Sequence, residues 1–333
     1  MKSVKIILSL LLCIAICLPL CACRARERKY SETYFDCFDS FASITVYTDS
    51  KSSWESCRAS FEEYVYEYHR LLDAYNAYDG VVNLYSVNHS QNDEIEVSDE
   101  LMDFLLRAKE VYRLTDGYVS VSMGSVTSIW KKAIADKALP HENELIVASQ
   151  HTDANSVILD GEKNTVLITD PQLRLDAGAL GKGFAAQRIC EKLAEQGYDS
   201  FLINLGGTLS ARGEKPDGTP WTGGVQSPDG DGAENVSVSL SDTALSTSGS
   251  YQRGFELDGV TYHHIIDPTT LYPPNEFVSV SLLCDDALIA DALSTALFCM
   301  SHGDGKALAD TLEDTEVMWI FSDGEISQTD GFN

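Results

Sequence analysis

Basic residues are scarce in this chain: 24 Lys and Arg stand against 51 Asp and Glu over 333 residues, a formal net charge of -27. A phosphate backbone is gripped by clustered Lys and Arg, so this balance excludes an electrostatic nucleic-acid binder. Cysteines become few once the N-terminal segment is set aside. Of nine, Cys13, Cys17, Cys21 and Cys23 lie at the start, leaving Cys37, Cys57, Cys190, Cys284 and Cys299. Five is an odd number with no C-x-x-C pair, which argues against a multi-bridge scaffold or a zinc ribbon and for buried thiols with room for one disulfide. Internal repeats and low-complexity tracts are absent from residues 34–333. Hydrophobic residues at 44% and charged residues at 23% exclude a disordered chain and allow a sizeable core.

What is present begins at the N-terminus. Lys2 and Lys5 precede an apolar run from Ile6 to Leu20, then Leu20-Cys21-Ala22-Cys23. The run is short for a membrane span and has the form of a secretory signal. Small residues before a cysteine resemble a bacterial lipobox with Cys23 as the lipidated residue. Residues 1–22 are therefore expected to be a lipoprotein signal peptide, 23–33 a lipidated cysteine with a short basic tether, and 34–333 one domain. The stub Arg24-Ala25-Arg26-Glu27-Arg28-Lys29 would supplement the acyl chains at anionic headgroups.

Patterning predicts strands at Phe41–Tyr47, Thr165–Thr169, Phe201–Asn204, Val236–Leu240, Val260–Ile266, Val278–Leu283 and Val317–Phe321. It predicts helices from Trp54 to about Tyr75, from the Ser98 cap to Gly117, over Phe184–Glu195 and over Leu288–Met300. Strands and helices mix without βαβ alternation, so an α+β fold with mixed sheets and packed helices is expected. Ser227–Gly232 reads as a surface turn.

Four segments could carry chemistry. Leu175-Asp176-Ala177-Gly178-Ala179-Leu180-Gly181-Lys182-Gly183-Phe184 is a glycine-dense loop feeding a helix, suited to close approach of backbone to a ligand. It is neither a Walker loop nor a convincing dinucleotide fingerprint. In Ala290–Phe298 the helical spacing puts Asp291 and Thr295 on one face of a helix that is apolar nearly all round, hence buried. A buried carboxylate needs a partner: a hard cation such as Mg²⁺, a hydrogen bond, or an ion pair with an unseen Lys or Arg. In Tyr262-His263-His264-Ile265-Ile266-Asp267-Pro268 strand alternation sends the two histidines to opposite faces, so they cannot share a metal; either could be a base or a phosphate contact. Leu245–Arg253 is a hydroxyl-rich turn with an arginine, able to meet phosphate.

Together and in this order, FDSFASITVY, LLDAYNAYDGVVNLYSVN, LDAGALGKGFAAQRI, INLGGTL, LSTSGSYQR, YHHIIDPTTLYP and ADALSTALF resemble the ApbE family of flavin-handling lipoproteins. The resemblance implies a T-fold-like α+β domain with flavin in a cleft between sheet and helices. It implies transfer of FMN from FAD to a Thr or Ser hydroxyl of an exported acceptor protein, with Mg²⁺ and release of AMP. By position, Asp291 and Thr295 would ligate the metal through side chains and Ala179 through its carbonyl. Asp176 and Lys182 would contact FAD, with Tyr75, Ser248 and Arg253 as further flavin or phosphate contacts. His264 would be catalytic and Asp267 would orient its loop, with either His264 or Asp291 able to act as base. FAD pyrophosphatase activity and FAD storage without turnover are the alternatives. Two departures stand out: Ser120 replaces the family's usual aspartate, and Thr269-Thr270-Leu271 replaces Arg-Thr-Gly after Asp267-Pro268.

Overall fold

Ala42, Ile44 and Val46 alternate with Ser43, Thr45 and Tyr47, and the structure buries the first set completely. That period of two is the pattern of a strand with one face on a core. The computed structural model describes residues 27–90, 93–225, 236–251 and 253–332. The leader, Cys23 and the Ser227–Gly232 turn lie outside the described residues. Eight strands, numbered along the main sheet in what is also chain order, are β1 (Arg28–Cys37), β2 (Ser40–Thr48), β3 (Phe201–Leu205), β4 (Thr208–Arg212), β5 (Ala244–Gly249), β6 (Phe277–Cys284), β7 (Glu316–Phe321) and β8 (Ile326–Gln328). Every neighbouring pair is antiparallel.

Among the described residues the helices are α1 (Lys51–Leu71), α2 (Leu84–Asn88), α3 (Asp99–Leu114), α4 (Gly124–Asp136), α5 (Glu142–Ser149), α6 (Gly181–Glu195), α7 (Ala287–Cys299) and α8 (His302–Ala309). Residues from α1, α3, α6 and α7 close over one sheet face with Ile44, Val46, Ile203, Val280 and Leu282 in a large core. The opposite face receives a small hairpin of Trp221–Val225 and Val236–Leu240, which buries Trp221 and Val238 against Leu245, Leu283 and Met318. The α+β expectation holds, with strands all antiparallel within the main sheet. No helix of the described residues is long and apolar enough to cross a membrane.

Several boundaries differ from expectation for local reasons. Helix α1 starts at Lys51, because Ser50 accepts from the Ser53 N–H, and stops at Leu71 rather than near Tyr75. There Asp73 Oδ1 takes the N–H groups of Tyr75 and Asn76 at 2.7 and 3.0 Å, an Asx turn that competes with the helix. The strand expected through Ile266 ends at His263, where the Ile265 N–H turns back onto His263 Nδ1. Arg28–Thr33 are not tether but the first part of β1, with Tyr30 stacked on Trp54 at 5.4 Å. The five cysteines are free, with no disulfide among the described residues. Burial pushes the Cys57 and Cys284 thiols up to about 12, so they pack as inert groups.

Candidate functional site

The glycines of Gly181-Lys182-Gly183 are not a loop but the first turn of α6. Their role differs from the one expected. A β-carbon at Gly183 would lie 2.5 Å from Asp291 Cβ and 2.9 Å from Leu288 Cα, and closer still to the Ala287 carbonyl oxygen. Glycine is needed there so that α6 and α7 can touch backbone to backbone. The first-turn N–H groups of a helix lack partners within the helix. At this crossing Gly183 donates its N–H to Asp291 Oδ2 at 2.8 Å, so a residue of α7 caps α6.

Asp291 is buried, as its helix predicted. Its second oxygen accepts from Ser246 Oγ at 2.9 Å and from Thr208 Oγ1 at 3.1 Å. Lys182 Nζ stands 3.7 Å away, which supplies the cation the sequence left unnamed. The strand partner follows from matched spacings. Ser246 and Ser248 are two apart on β5, about 7 Å in a strand, and Asp291 and Thr295 are four apart on α7, about 6 Å in a helix. Ser246 therefore meets Asp291 while Ser248 Oγ meets Thr295 Oγ1 at 3.0 Å and Ser294 Oγ at 2.9 Å. Thr295 Oγ1 also lies 3.2 Å from the Asp291 carbonyl oxygen. The result is one carboxylate and a row of hydroxyls, all hard oxygen donors, with a lysine at the edge.

A second group forms around Asp176. Its carboxylate accepts from Tyr75 OH at 2.5 Å, Thr127 Oγ1 at 3.0 Å and the Gly178 N–H at 2.7 Å. Desolvation and then Asp176 push the Tyr75 phenol well above its ordinary value, so it is a donor, not a base. Two buried asparagines set this pair. Asn83 Nδ2 donates to the carbonyls of Arg70 and Asn76, fixing the Tyr75 turn. Asn88 donates to the Leu175 carbonyl and accepts its N–H, fixing the residue before Asp176. The altered Tyr118–Val126 segment lies alongside: the Asp176 N–H donates to Val121, and the Gly124 N–H to Arg174.

The third group stands on a hairpin of Gly254–Leu257 and Val260–His263. At its base the His264 N–H donates to the Arg253 carbonyl at 3.2 Å. His263 and His264 part as alternation required. His263 is buried; its Nε2 donates to the Pro274 carbonyl and its Nδ1 accepts from Ile265, so both nitrogens are committed to structure. His264 is exposed, with Nδ1 3.4 Å from the Arg253 carbonyl. A carbonyl can only accept, so this contact places the proton on Nδ1 and leaves the Nε2 lone pair free. Although solvent reaches the ring, desolvation lowers its pKa to about 4, with Lys182 and Arg253 contributing. Asp267 is buried and accepts from Thr269 N, Thr269 Oγ1 and Thr270 Oγ1, which fixes the turn after the histidines. That turn holds Leu271 at φ +64° and receives Trp130 Nε1 on the Leu271 carbonyl at 2.8 Å.

The sequence-named residues thus fall into linked clusters: Lys182 with Asp291, Thr295 with Ser248, Tyr75 with Asp176, and Arg253 with His264. Ala179 sits half-buried in the turn opening α6. Thr208, Ser246, Thr127, Asn83 and Asn88 join these clusters without a sequence pattern that marks them. Thr208 and Ser246 lie inside quoted motifs, but an isolated strand hydroxyl carries no periodic signal, and only the sheet pairing Ser246 with Thr208 reveals them.

The antiparallel sheet, the helix crossing capped by a buried carboxylate and the lysine beside it define a single-domain α+β protein. Around the crossing stand Asp291, the hydroxyls of Thr208, Ser246, Ser248 and Thr295, and the Lys182 ammonium. The chain belongs to the ApbE family, whose model matches residues 38–319. It is 29% identical over 341 residues to the FAD:protein FMN transferase of Treponema pallidum, covering 97% of this chain and 93% of that one. To the FAD:protein FMN transferase of Klebsiella pneumoniae it is 30% identical over 243 residues, covering 72% and 75%. Among solved structures, the ApbE protein of Thermotoga maritima superposes with a TM-score of 0.81 at 25% identity, covering 91% of this chain and 97% of that one. The flavin transferase ApbE of Vibrio cholerae has the same fold, with a TM-score of 0.77 at 23% identity over 91% and 97%.

Proposed function

We propose that this protein is a FAD:protein FMN transferase: it moves the FMN moiety of FAD onto a Thr or Ser hydroxyl of an acceptor protein and releases AMP. The observation that carries the reading is the Asp291 cluster, a buried carboxylate with Lys182 at 3.7 Å and Thr295 one helical turn on, inside a chain that matches the family over residues 38–319. In the reaction the acceptor oxygen forms a bond to the FMN phosphorus while the pyrophosphate bond to AMP breaks, and the hydroxyl proton must go to a base.

His264 is the better base of the two candidates. Its Nε2 lone pair is free, whereas both oxygens of Asp291 already accept hydrogen bonds. A neutral imidazole at neutral pH follows from its depressed pKa, and proton acceptance needs that form. Lys182 balances negative charge that grows on the leaving phosphate. Asp267 and the Trp130 contact hold the turn after His264, and Asp176 holds the Tyr75 hydroxyl.

The donor set suits Mg²⁺. No group of three or more His, Cys, Asp or Glu that could hold a metal occurs among the described residues, and Mg²⁺ commonly takes one or two carboxylates and completes its shell with substrate phosphate and water. Asp291, Thr295 and the Ala179 carbonyl would hold it. When bound, Mg²⁺ would draw charge from the pyrophosphate oxygens. The proposal extends to place: Cys23 carries lipid, residues 1–22 are removed, and residues 34–333 together with β1 work on the outer face of a membrane, on exported acceptors. Loss of membrane-fraction protein in Cys23→Ser tests that part.

One assay tests the activity. The purified protein is incubated with FAD, Mg²⁺ and an acceptor domain bearing a flavinylation threonine. Covalent flavin on the acceptor with one AMP per flavin supports transfer. Free FMN with AMP would point to hydrolysis, and intact bound FAD to storage.

A further inference from the structure

Three basic side chains of this very acidic chain stand at these clusters, and each is engaged by a protein carboxylate. Lys182 is beside Asp291. Lys131 and Arg253 share a second one, Asp39: Lys131 Nζ stands 3.7 Å and Arg253 Nη1 3.9 Å from its Oδ2, and Arg253 Nη2 also donates to the Asp39 carbonyl. Lys131 Nζ simultaneously lies 3.7 Å over the ring of Tyr75, whose hydroxyl is held by Asp176. Four segments far apart in sequence meet through these contacts: the β1–β2 turn, the Tyr75 turn, α4 and the approach to the hairpin that carries His264.

We propose that Asp39 is a built-in stand-in for an anionic ligand, holding Lys131 and Arg253 across the cleft until a phosphate displaces it. The side chains of Asp39, Lys131 and Arg253 are 68%, 54% and 45% exposed, and pairs this open to water are weak. A weak pair is easily exchanged. A phosphate group offers more charge and more acceptor oxygens than one carboxylate, so it competes well for an arginine and a lysine. The exchange has a second consequence: as Lys131 moves to the phosphate it uncovers the face of Tyr75, opening the ring to a planar group. Asp39 occupies a left-handed backbone position, φ +52°, next to Phe38 at the same angle, so the turn that carries the carboxylate is held by unusual local geometry. This inference rests on the cleft being the FAD site.

The test is equilibrium binding of FAD, FMN and riboflavin to the full-length protein, read by flavin fluorescence with chelator present to prevent turnover. The variant is Asp39→Asn, because asparagine tolerates the left-handed conformation and keeps the size while losing the charge. FAD and FMN are expected to bind about three- to ten-fold more tightly to Asp39→Asn, the range that two weak exposed pairs can supply. Riboflavin, which has no phosphate, should stay unchanged, and added salt should shrink the gain. Lys131→Met should weaken FAD and FMN relative to riboflavin. Wild-type binding of FAD with no gain in Asp39→Asn, or an equal gain for riboflavin, overturns the stand-in alone. Failure of the wild type to bind FAD overturns the functional reading as well.

Discussion

Gly183→Ala tests whether the helix crossing positions the Asp291 cluster. The added methyl would sit 2.5 Å from Asp291 Cβ and 2.9 Å from Leu288 Cα, and against the Ala287 carbonyl. All three are backbone or stem atoms that cannot swing aside, so α6 and α7 must separate by several tenths of an ångström or more. Overpacking of this kind costs about 1–3 kcal/mol, and moving Gly183 N–H off Asp291 Oδ2 adds roughly 1–3 kcal/mol for a buried group left without its partner. A loss of about 2–6 kcal/mol is expected in urea denaturation, with the midpoint shifted and the slope unchanged. Gly224→Ala is the control, because a β-carbon there meets nothing within 4 Å; it should fall within about 0.5 kcal/mol of wild type. Activity at a temperature where Gly183→Ala remains folded should drop sharply, since the same shift displaces Asp291 from Lys182. Wild-type stability and turnover in Gly183→Ala would refute the reasoning.

Other expectations follow from neighbouring groups. With His264 depressed to about 4, kcat/KM should be flat from neutral pH downward and fall only as pH drops through about 4; an acid limb near 6.5, the ordinary histidine value, would contradict the assignment. The same depression means that stability from neutral His264 is complete above about 6.5 and lost as pH falls toward 4, because the unfolded state binds the proton first. Thr208→Val and Ser246→Ala should each cost about 1–3 kcal/mol by removing a donor from Asp291, and the double variant should be non-additive because the two hydroxyls share that oxygen and each other; strict additivity in denaturant melts would count against a shared network. Asp267→Ala should lower kcat more than it raises KM for FAD, since it loosens the turn beside His264 without touching Lys182 or Asp291; a pure KM effect would refute that division.

The parts of this molecule legible in its sequence are those governed by a local period or cap. Ser98 capped α3 as expected, with its side chain taking the Leu101 N–H. The all-round apolar pattern of Ala287–Cys299 correctly placed Asp291 in the interior, and strand alternation correctly parted His263 from His264. What remained hidden was set by approach in three dimensions. Glycine at 183 looked like ligand-binding freedom, whereas its cause is the backbone of a helix about a hundred residues later. Thr208 and Ser246 look like ordinary strand hydroxyls until β4 and β5 pair. Asp39 and Arg253 are separated by 214 positions, and no local pattern connects them. The aromatic-rich pattern reads as helix as far as Tyr75, whereas α1 stops at Leu71, where the short side chain of Asp73 takes the next turn's N–H groups.

In transfer, a hydroxyl of a second protein, not water, attacks the FMN phosphorus. The intact mass of an acceptor domain after incubation with this protein, FAD and Mg²⁺ tests it most directly. The expected increment is one FMN less one water, absent when the acceptor threonine is replaced by alanine and absent with Asp291→Ala. An unmodified acceptor in a mixture that has accumulated free FMN and AMP would contradict it.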